Sequence, residues 1–479
     1  MPPRRARSLS VLLAVVTTLV AVLAVGPASA SATELRGVQL HSLWGDSTNA
    51  DMDRELDMTR DMGANVVRVD VGWQTLEQSG KGAYSQWYVD KLDRFMGAAS
   101  ARGLKVIATI MLTPCWASSA PDSLKQNCSD GWWDRGVGQY PPTHASDFGD
   151  IARWMTGRYG GQLAALELWN EPNLSGFLTA DDPAAAYAEM VKAGYVGAKQ
   201  GNASVPVLAG ALAQADAPFL NRLYDHGIKG FYDGISIHPY NEQRDPAATI
   251  EAQYARYTFL AGLQLVRQAQ LAHGDTSSIW ATEFGWSTCA GGSTWCVNEA
   301  QQAAYTPKAF AMLSSMPYVK AGIVYNLRDK GTDPVGIESN YGLINRDYTP
   351  KPAYASLKAF FASAASASPF ALAPVRLRQP APRRTRGERR RAKTTAFAIG
   401  AGVRVRVFGA RGRQWASGRA PAQALLRITI SRVRDTRSGR RIVVRRHLHA
   451  HASSTGRFLR SLGRLSPSRH YSVVAVIVG

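Results

Sequence analysis

From about residue 35 to residue 361 the chain repeats one pattern eight times: a short apolar run, then a stretch with helical periodicity. The runs span 37–41, 65–70, 104–112, 163–169, 205–210, 234–238, 279–282 and 321–325. Helical patterning marks 88–102, 145–159, 183–200, 249–272 and 300–315, and a charged helix-like segment around Asp53–Asp57 precedes the second run. A strand covered by helices on both sides is buried on both faces and reads as continuously apolar. Eight such strands alternating with helices have the size and order of a (β/α)8 (TIM) barrel. A doubly wound open sheet shares the alternation, but no Gly-rich phosphate turn opens a helix after the first run.

Charge divides the chain. Of its 56 Lys and Arg residues, 26 lie in 371–479, against two acids there, Glu388 and Asp435. The remainder carries slightly more acids than bases, so the net charge of +20 describes the last quarter of the chain and says nothing about the partner of the rest. Residues 366–395 have an Arg/Pro/Ala-rich linker composition. Beyond them, runs such as 403–408, 442–444 and 471–478 alternate with period two or are continuously apolar, which predicts a small, basic, sandwich-like all-β domain over 396–479. A composition of 45% hydrophobic and 19% charged residues excludes a largely disordered chain. No interior apolar run is long enough for a membrane bundle.

Residues 1–32 read as a secretory signal: Arg4, Arg5 and Arg7, an apolar stretch from Leu9 to Val25, then the small-residue sites Ala28-Ser29-Ala30 and Ala30-Ser31-Ala32. An uncleaved membrane anchor is the alternative. Export predicts a secreted, extracellular or surface-associated protein in an oxidising compartment. The four cysteines allow three pairings. Pairing neighbours, Cys115–Cys128 and Cys289–Cys296, staples two loops; buried free thiols are the other reading. With no C-x-x-C there is no zinc signature, and no metal or cofactor motif is visible.

Two motifs carry chemistry. Leu166-Glu167-Leu168-Trp169-Asn170-Glu171-Pro172-Asn173 ends the fourth run, and Trp280-Ala281-Thr282-Glu283-Phe284-Gly285-Trp286 ends the seventh. Strand C-termini are where such a barrel gathers its active site. Strands four and seven lie across the mouth from each other, so Glu171 and Glu283 are placed to share one gap. Two carboxylates flanking a bond are what glycoside hydrolysis requires, one to protonate the leaving oxygen and one to attack.

The pairing of W-N-E-P after strand four with T-E-F-G-W after strand seven resembles the clan A retaining glycoside hydrolases, (β/α)8 enzymes, and among them families 5 and 39, cellulase-like and β-xylosidase-like. The resemblance covers most of 33–365 and none of the tail. It implies Glu171 as acid/base, Glu283 as nucleophile, and Asn170 on the sugar 2-hydroxyl. It implies that Arg68 keeps the nucleophile ionised and that His238-Pro239-Tyr240 brings a tyrosine to it. His41 and Trp116 match places that line the subsites; Trp286 is a substrate candidate on other grounds, as one of seven indoles near the predicted loops (Trp44, Trp73, Trp116, Trp132, Trp133, Trp286 and Trp295), whose faces suit stacking on sugar rings. Where clan members commonly carry a Trp at the tip of strand eight, this sequence has Tyr325. The implied function is a secreted O-glycosyl hydrolase acting by a retaining two-glutamate mechanism on β-linked polysaccharide or oligosaccharide. The alternative is a non-catalytic carbohydrate- or polyanion-binding surface protein on the same barrel. For the tail, a β-module whose arginines are simply solvated or reflect composition is the leading reading, ahead of an acidic cell-wall or extracellular polymer as partner, with nucleic acid last.

Overall fold

The computed structural model describes residues 33–366, apart from 46 and 249–251, and seven strands within 394–477. The signal segment and most of the linker lie outside the described residues.

Eight strands close into one barrel in chain order, each parallel to its neighbours. They are β1 (Leu35–Leu40), β2 (Val66–Gly72), β3 (Lys105–Met111), β4 (Leu163–Leu168), β5 (Val207–Ala213), β6 (Gly234–His238), β7 (Ser278–Phe284) and β8 (Val319–Val324). A helix follows each: α1 (Asn49–Asp61), α2 (Gln86–Ala101), α3 (Ala145–Tyr159), α4 (Pro183–Gly201), α5 (Ala217–Asp225), α6 (Phe259–Ala272), α7 (Glu299–Ser314) and α8 (Pro352–Ser366). The TIM barrel expected from the eightfold alternation is therefore present. Helices α5 and α8 carry no pattern singled out in the sequence. The helix expected over 249–272 is shorter, with a 3-10 turn at Ala252–Tyr257 ahead of α6.

Local signals explain the helix starts. Thr48 accepts from the Asp51 amide (3.1 Å) while Asp51 accepts from the Thr48 amide (3.0 Å), a reciprocal cap opening α1. Asp182 accepts from the amides of Ala184 and Ala185, both at 3.0 Å, and Pro183 supplies a preset φ at the first position of α4.

Helices α3 and α4, which cover β4, meet along a glycine seam. A Cβ on Gly197 would lie 1.9 Å from the Gly149 carbonyl oxygen, and one on Gly201 2.2 Å from the Arg153 carbonyl oxygen. Behind the seam, Gly194 faces Leu168 of β4, where a Cβ would come within 3.0 Å of a methyl group. Tyr187 of α4 donates to the Leu168 carbonyl and accepts from the Gly210 amide (2.9 Å), so α4 pins the ends of β4 and β5 together.

Two disulfides, Cys115–Cys128 and Cys289–Cys296, staple the segments after β3 and β7, as the neighbour pairing expects. Trp132 and Cys115 share a small core under the first staple. No helix of the described residues is long and apolar enough to cross a membrane.

The C-terminal unit contains β9 (Thr394–Ala398), β10 (Arg404–Ala410), β11 (Arg413–Arg419), β12 (Leu425–Thr436), β13 (Gly439–His451), β14 (Arg457–Gly463) and β15 (His470–Ile477). They form a three-stranded sheet, β10-β11-β14, and a four-stranded sheet, β13-β12-β15-β9. Pairing is antiparallel except between β9 and β15.

Candidate active site

The site grows from a buried charge. Arg68, on β2, has none of its surface exposed. A guanidinium offers five donors in a fixed fork and stays charged, so burial is tolerable only where acceptors surround it. Here Nε donates to Glu167 Oε2 (2.7 Å), Nη1 to Gln39 Oε1 (2.9 Å) and Glu283 Oε1 (2.5 Å), and Nη2 to Asn170 Oδ1 (2.8 Å). Strands β1, β2, β4 and β7 are thereby tied across the barrel mouth. Thr109 of β3 also donates to Glu167 Oε2 (2.8 Å). Burial pushes the Glu167 carboxyl up, but the Arg68 charge, the His238 ring and the hydrogen bonds from Ser236 and Arg68 together hold the group below its ordinary value.

Beyond β4 the backbone turns sharply. Trp169 (φ 74°) and Glu171 (φ 43°) are both in the left-handed region, at a cost of about 1–3 kcal/mol each for non-glycine residues. The turn is held by bonds from the Trp169 amide to the Ile110 carbonyl (2.9 Å) and from the Glu171 amide to the Ala211 carbonyl (3.0 Å). The Trp169 ring is buried edge-on to Phe148 of α3, with its N–H on the Phe177 carbonyl. This leaves Asn170 and Glu171 at the mouth.

Glu283 ends β7 on the facing side. Its Oε2 accepts from the Tyr240 hydroxyl (2.8 Å), and its Oε1 takes the Arg68 bond. Glu171 Oε1 lies 2.8 Å from His238 Nδ1, which is also 3.5 Å from Glu283 Oε2. Glu171, His238 and Glu283 each offer one polar atom within 4.8 Å of the others. Among the described residues this is the group close enough to hold a metal ion, but the Arg68 guanidinium against Glu283 opposes a cation there. His238 is fully buried; burial favours the neutral ring, yet the negative Glu283 and then Glu171 raise its affinity for a proton above the ordinary value. Burial, then Glu283, pushes the Tyr240 hydroxyl well above its ordinary value, so it stays protonated and donates.

One rim is aromatic. Tyr325, after β8, sits edge-on to His41 (5.5 Å between ring centres), Tyr240 (6.2 Å) and Tyr341 (5.3 Å). Its hydroxyl lies 3.1 Å from both Glu338 Oε2 and Lys330 Nζ. His41 Nδ1 is 3.8 Å from Asp70 Oδ2, while His41 Nε2 is buried without a protein partner. Burial holds the His41 ring down at about 4 against the opposing pull of Asp70, so it is neutral at neutral pH.

The structure thus brings Glu171, Glu283, Asn170, Arg68, His238, Tyr240, His41 and Tyr325 to one mouth. The Trp116 N–H donates to the Glu77 carbonyl (2.6 Å) and its ring packs edge-on to Trp73. Trp286 departs from its expected place lining the subsites. It is 1% exposed, packs against Phe259, Phe284 and Tyr305, and spends its N–H on the Arg244 carbonyl (2.9 Å). An apolar neighbourhood with an internal acceptor explains its burial. Trp44, Trp87 and Trp133 are exposed indoles.

Sequence reasoning passed over Glu167, Gln39 and Tyr341. Glu167 had a signal: a carboxylate inside the apolar strand Leu163–Leu168 demands a buried cation. Tyr341 lies in an irregular segment with no periodicity.

Residues 27–195 match the family model described as cellulase, glycosyl hydrolase family 5. No curated protein matches the chain. Among solved structures, a family 39 glycoside hydrolase from the gut symbiont Bacteroides cellulosilyticus superposes with TM-score 0.54 and 19% identity, over 90% of this chain and 81% of that one. A GH5_18 protein from Streptomyces cattleya, solved with GlcNAc, gives 0.51 and 17%, over 78% and 86%. A monomeric beta-xylosidase from Caulobacter crescentus gives 0.50 and 16%, over 91% and 97%. At these identities the structural likeness is one of fold, while the family model adds a sequence match through β1 to β4 and into α4. The chain is similar to the family 5 and family 39 glycoside hydrolases of clan A, as its two glutamate motifs indicate.

Proposed function

We propose that the barrel is a retaining O-glycosyl hydrolase, acting on β-linked polysaccharide or oligosaccharide outside the cell. The observation that carries this reading is the spacing of Glu171 and Glu283, whose nearest oxygens lie within 4.8 Å. Retaining pairs sit about 5–5.5 Å apart and inverting pairs about 6.5–9.5 Å, the extra room being for a water. Glu283 is the nucleophile. Both its oxygens already accept, from Arg68 and from Tyr240, which orients a carboxylate for attack on the anomeric carbon. Glu171 is the acid/base. As the C–O bond breaks, it gives its proton to the leaving oxygen; it then takes one from the water that releases the sugar from Glu283. Asn170, its carbonyl held by Arg68, offers its amide N–H to the 2-hydroxyl. Neutral His41 and Asp70 offer hydrogen bonds to the same sugar, with Tyr325 as the aromatic wall.

The chemistry requires no metal or cofactor. The signal-like N-terminus and the two disulfides support export. We read the arginine-rich C-terminal unit as a holder of acidic polymer outside the cell. The test is reducing-end release from a panel of β-linked glycans by the wild type, Glu171→Gln and Glu283→Gln. Each substitution should lower kcat by about 1,000-fold or more with unchanged thermal unfolding. Full activity in both variants would refute the assignment.

A further inference from the structure

The four-stranded sheet has two faces of different chemistry. Register places Leu426 and Ile428 of β12 beside Ala450 and Leu448 of β13, and beside Ile477 and Ala475 of β15. Over these positions that face is apolar, and Arg446, opposite Ile430, comes next on it. The other face carries Arg427, Thr429 and Ser431 of β12, paired with His449, His447 and Arg445 of β13, with His451 opposite Leu425. Three of the protein's nine histidines thus fall at alternate positions of one strand, His447, His449 and His451, and share a face. Strand β13 is an edge of its sheet.

The charged groups around this ladder all have one sign. Arg445 precedes it on β13, and Arg427 lies directly opposite His449. Across β12, the same face continues on β15 with His470, Ser472, Val474 and Val476, and on β9 with Thr395 and Phe397; of these only His470 is ionisable, and it lies opposite Val433 at the far end of the ladder. The acid of the hairpin, Asp435, is opposite Arg440 at its other end. An imidazole titrates near pH 6.5. On a face that register shares with Arg427 and Arg445, a bound polyanion favours the protonated ring over the neutral one. Binding then takes up protons, and linkage requires affinity to grow as pH falls.

We propose that this face of the β12–β13 hairpin binds a polyanionic glycan, and that His447, His449 and His451 make the binding strengthen with acidity. The inference rests on the polyanion reading of the tail and turns a constant attraction into a pH-gated one. Alternate histidines on a strand also suit a transition metal, but Arg427 and Arg445 disfavour a cation, and metal binding to imidazole weakens with acid instead.

The test uses the full chain and dextran sulfate, whose sulfate esters stay ionised throughout the range, so any pH effect belongs to the protein. Affinity should rise about tenfold or more from about pH 8 to about pH 5.5. The slope of log affinity against log salt should steepen by about 2, from about 0.7 per added charge. The triple variant His447→Gln, His449→Gln, His451→Gln should keep the alkaline affinity and lose the gain. The triple Arg variant at the same positions should bind at both pH values as the wild type does in acid, a gain that misfolding does not produce. Wild-type binding that is the same at both pH values overturns the switch alone. No binding at either pH overturns the polyanion reading with it. Zn2+ binding that strengthens with rising pH and is lost in the Gln variant overturns the proposal in favour of a metal site.

Discussion

Replacing Arg68 with Met keeps the length of the side chain and removes its charge and donors. Glu167 is fully buried and loses its 2.7 Å partner, while Glu283, Asn170 and Gln39 each lose a donor. Removing one side of a buried pair costs about 3–5 kcal/mol, because the other charge is left uncompensated. With an unfolding entropy of about 2.1 cal/mol/K per residue, a barrel of this size loses about 1.5 °C per kcal/mol, so Tm should fall by about 4–8 °C. The pH dependence sharpens the test. In the wild type the Glu167 carboxyl is held below its ordinary value, so its contribution is present above that value and is lost as pH falls through the folded one. In the variant burial, the largest influence on the group, is opposed only by His238 and the Ser236 bond and raises it, so stability is lost as pH rises. The deficit should therefore widen from about pH 5 to about pH 8. Thermal unfolding followed by near-ultraviolet circular dichroism reads both quantities. A Tm loss under about 2 °C, or a deficit that narrows with rising pH, would show that Arg68 is not the keystone of the mouth.

Tyr240→Phe removes the 2.8 Å bond to Glu283 and little else, and a hydrogen bond to a charged group is worth about 1.5–3 kcal/mol. On glycan substrates kcat should fall about 10- to 100-fold with Tm nearly unchanged. His238, its proton affinity raised by Glu283 and Glu171 against burial, contributes stability that is present below about pH 6.5 and lost as pH rises through its higher folded value. Wild-type Tm should decline over that range, and His238→Gln should flatten the decline. Gly97→Ala, on an exposed face of α2 with nothing near the new methyl group, should stabilise by up to about 1 kcal/mol in urea unfolding. Gly197→Ala, driven into the Gly149 carbonyl, should destabilise and lower activity with it.

The barrel was legible because burial on both faces writes each strand as a continuous apolar run, which local sequence displays. The two glutamates were legible because each closes such a run at the end where a parallel barrel gathers its loops. Arg68 was reachable only through the resemblance, since a lone cation in VVRVDVG does not name its acceptors, which come from β1, β4 and β7. Trp286 misled because an indole directly after Gly285 looks the same in sequence whether it faces a sugar or the Phe259–Phe284–Tyr305 cluster. Tyr341 is brought to the rim by the long irregular stretch after β8, and nothing in its neighbours announces that. The β12–β13 pairing was equally hidden: His447, His449 and His451 are plain in the sequence, but their place opposite Thr429, Arg427 and Leu425 appears only with the register.

The glycine seam between α3 and α4 makes the outer shell of the barrel a gauge for its mouth. The tip of β4 is held from behind by Gly194 against Leu168 and by Tyr187 on the Leu168 carbonyl, and α4 can come that close only because Gly149 and Gly197 let its backbone touch that of α3. A bulkier residue at either glycine would move α4 outward and with it the turn carrying Asn170 and Glu171. When uncharacterised barrels are screened for activity, the W-N-E-P signature is therefore better read together with its flanking helices. A chain with the motif but with large side chains at the places of Gly149 and Gly197 has kept the carboxylate and lost the means of setting its height.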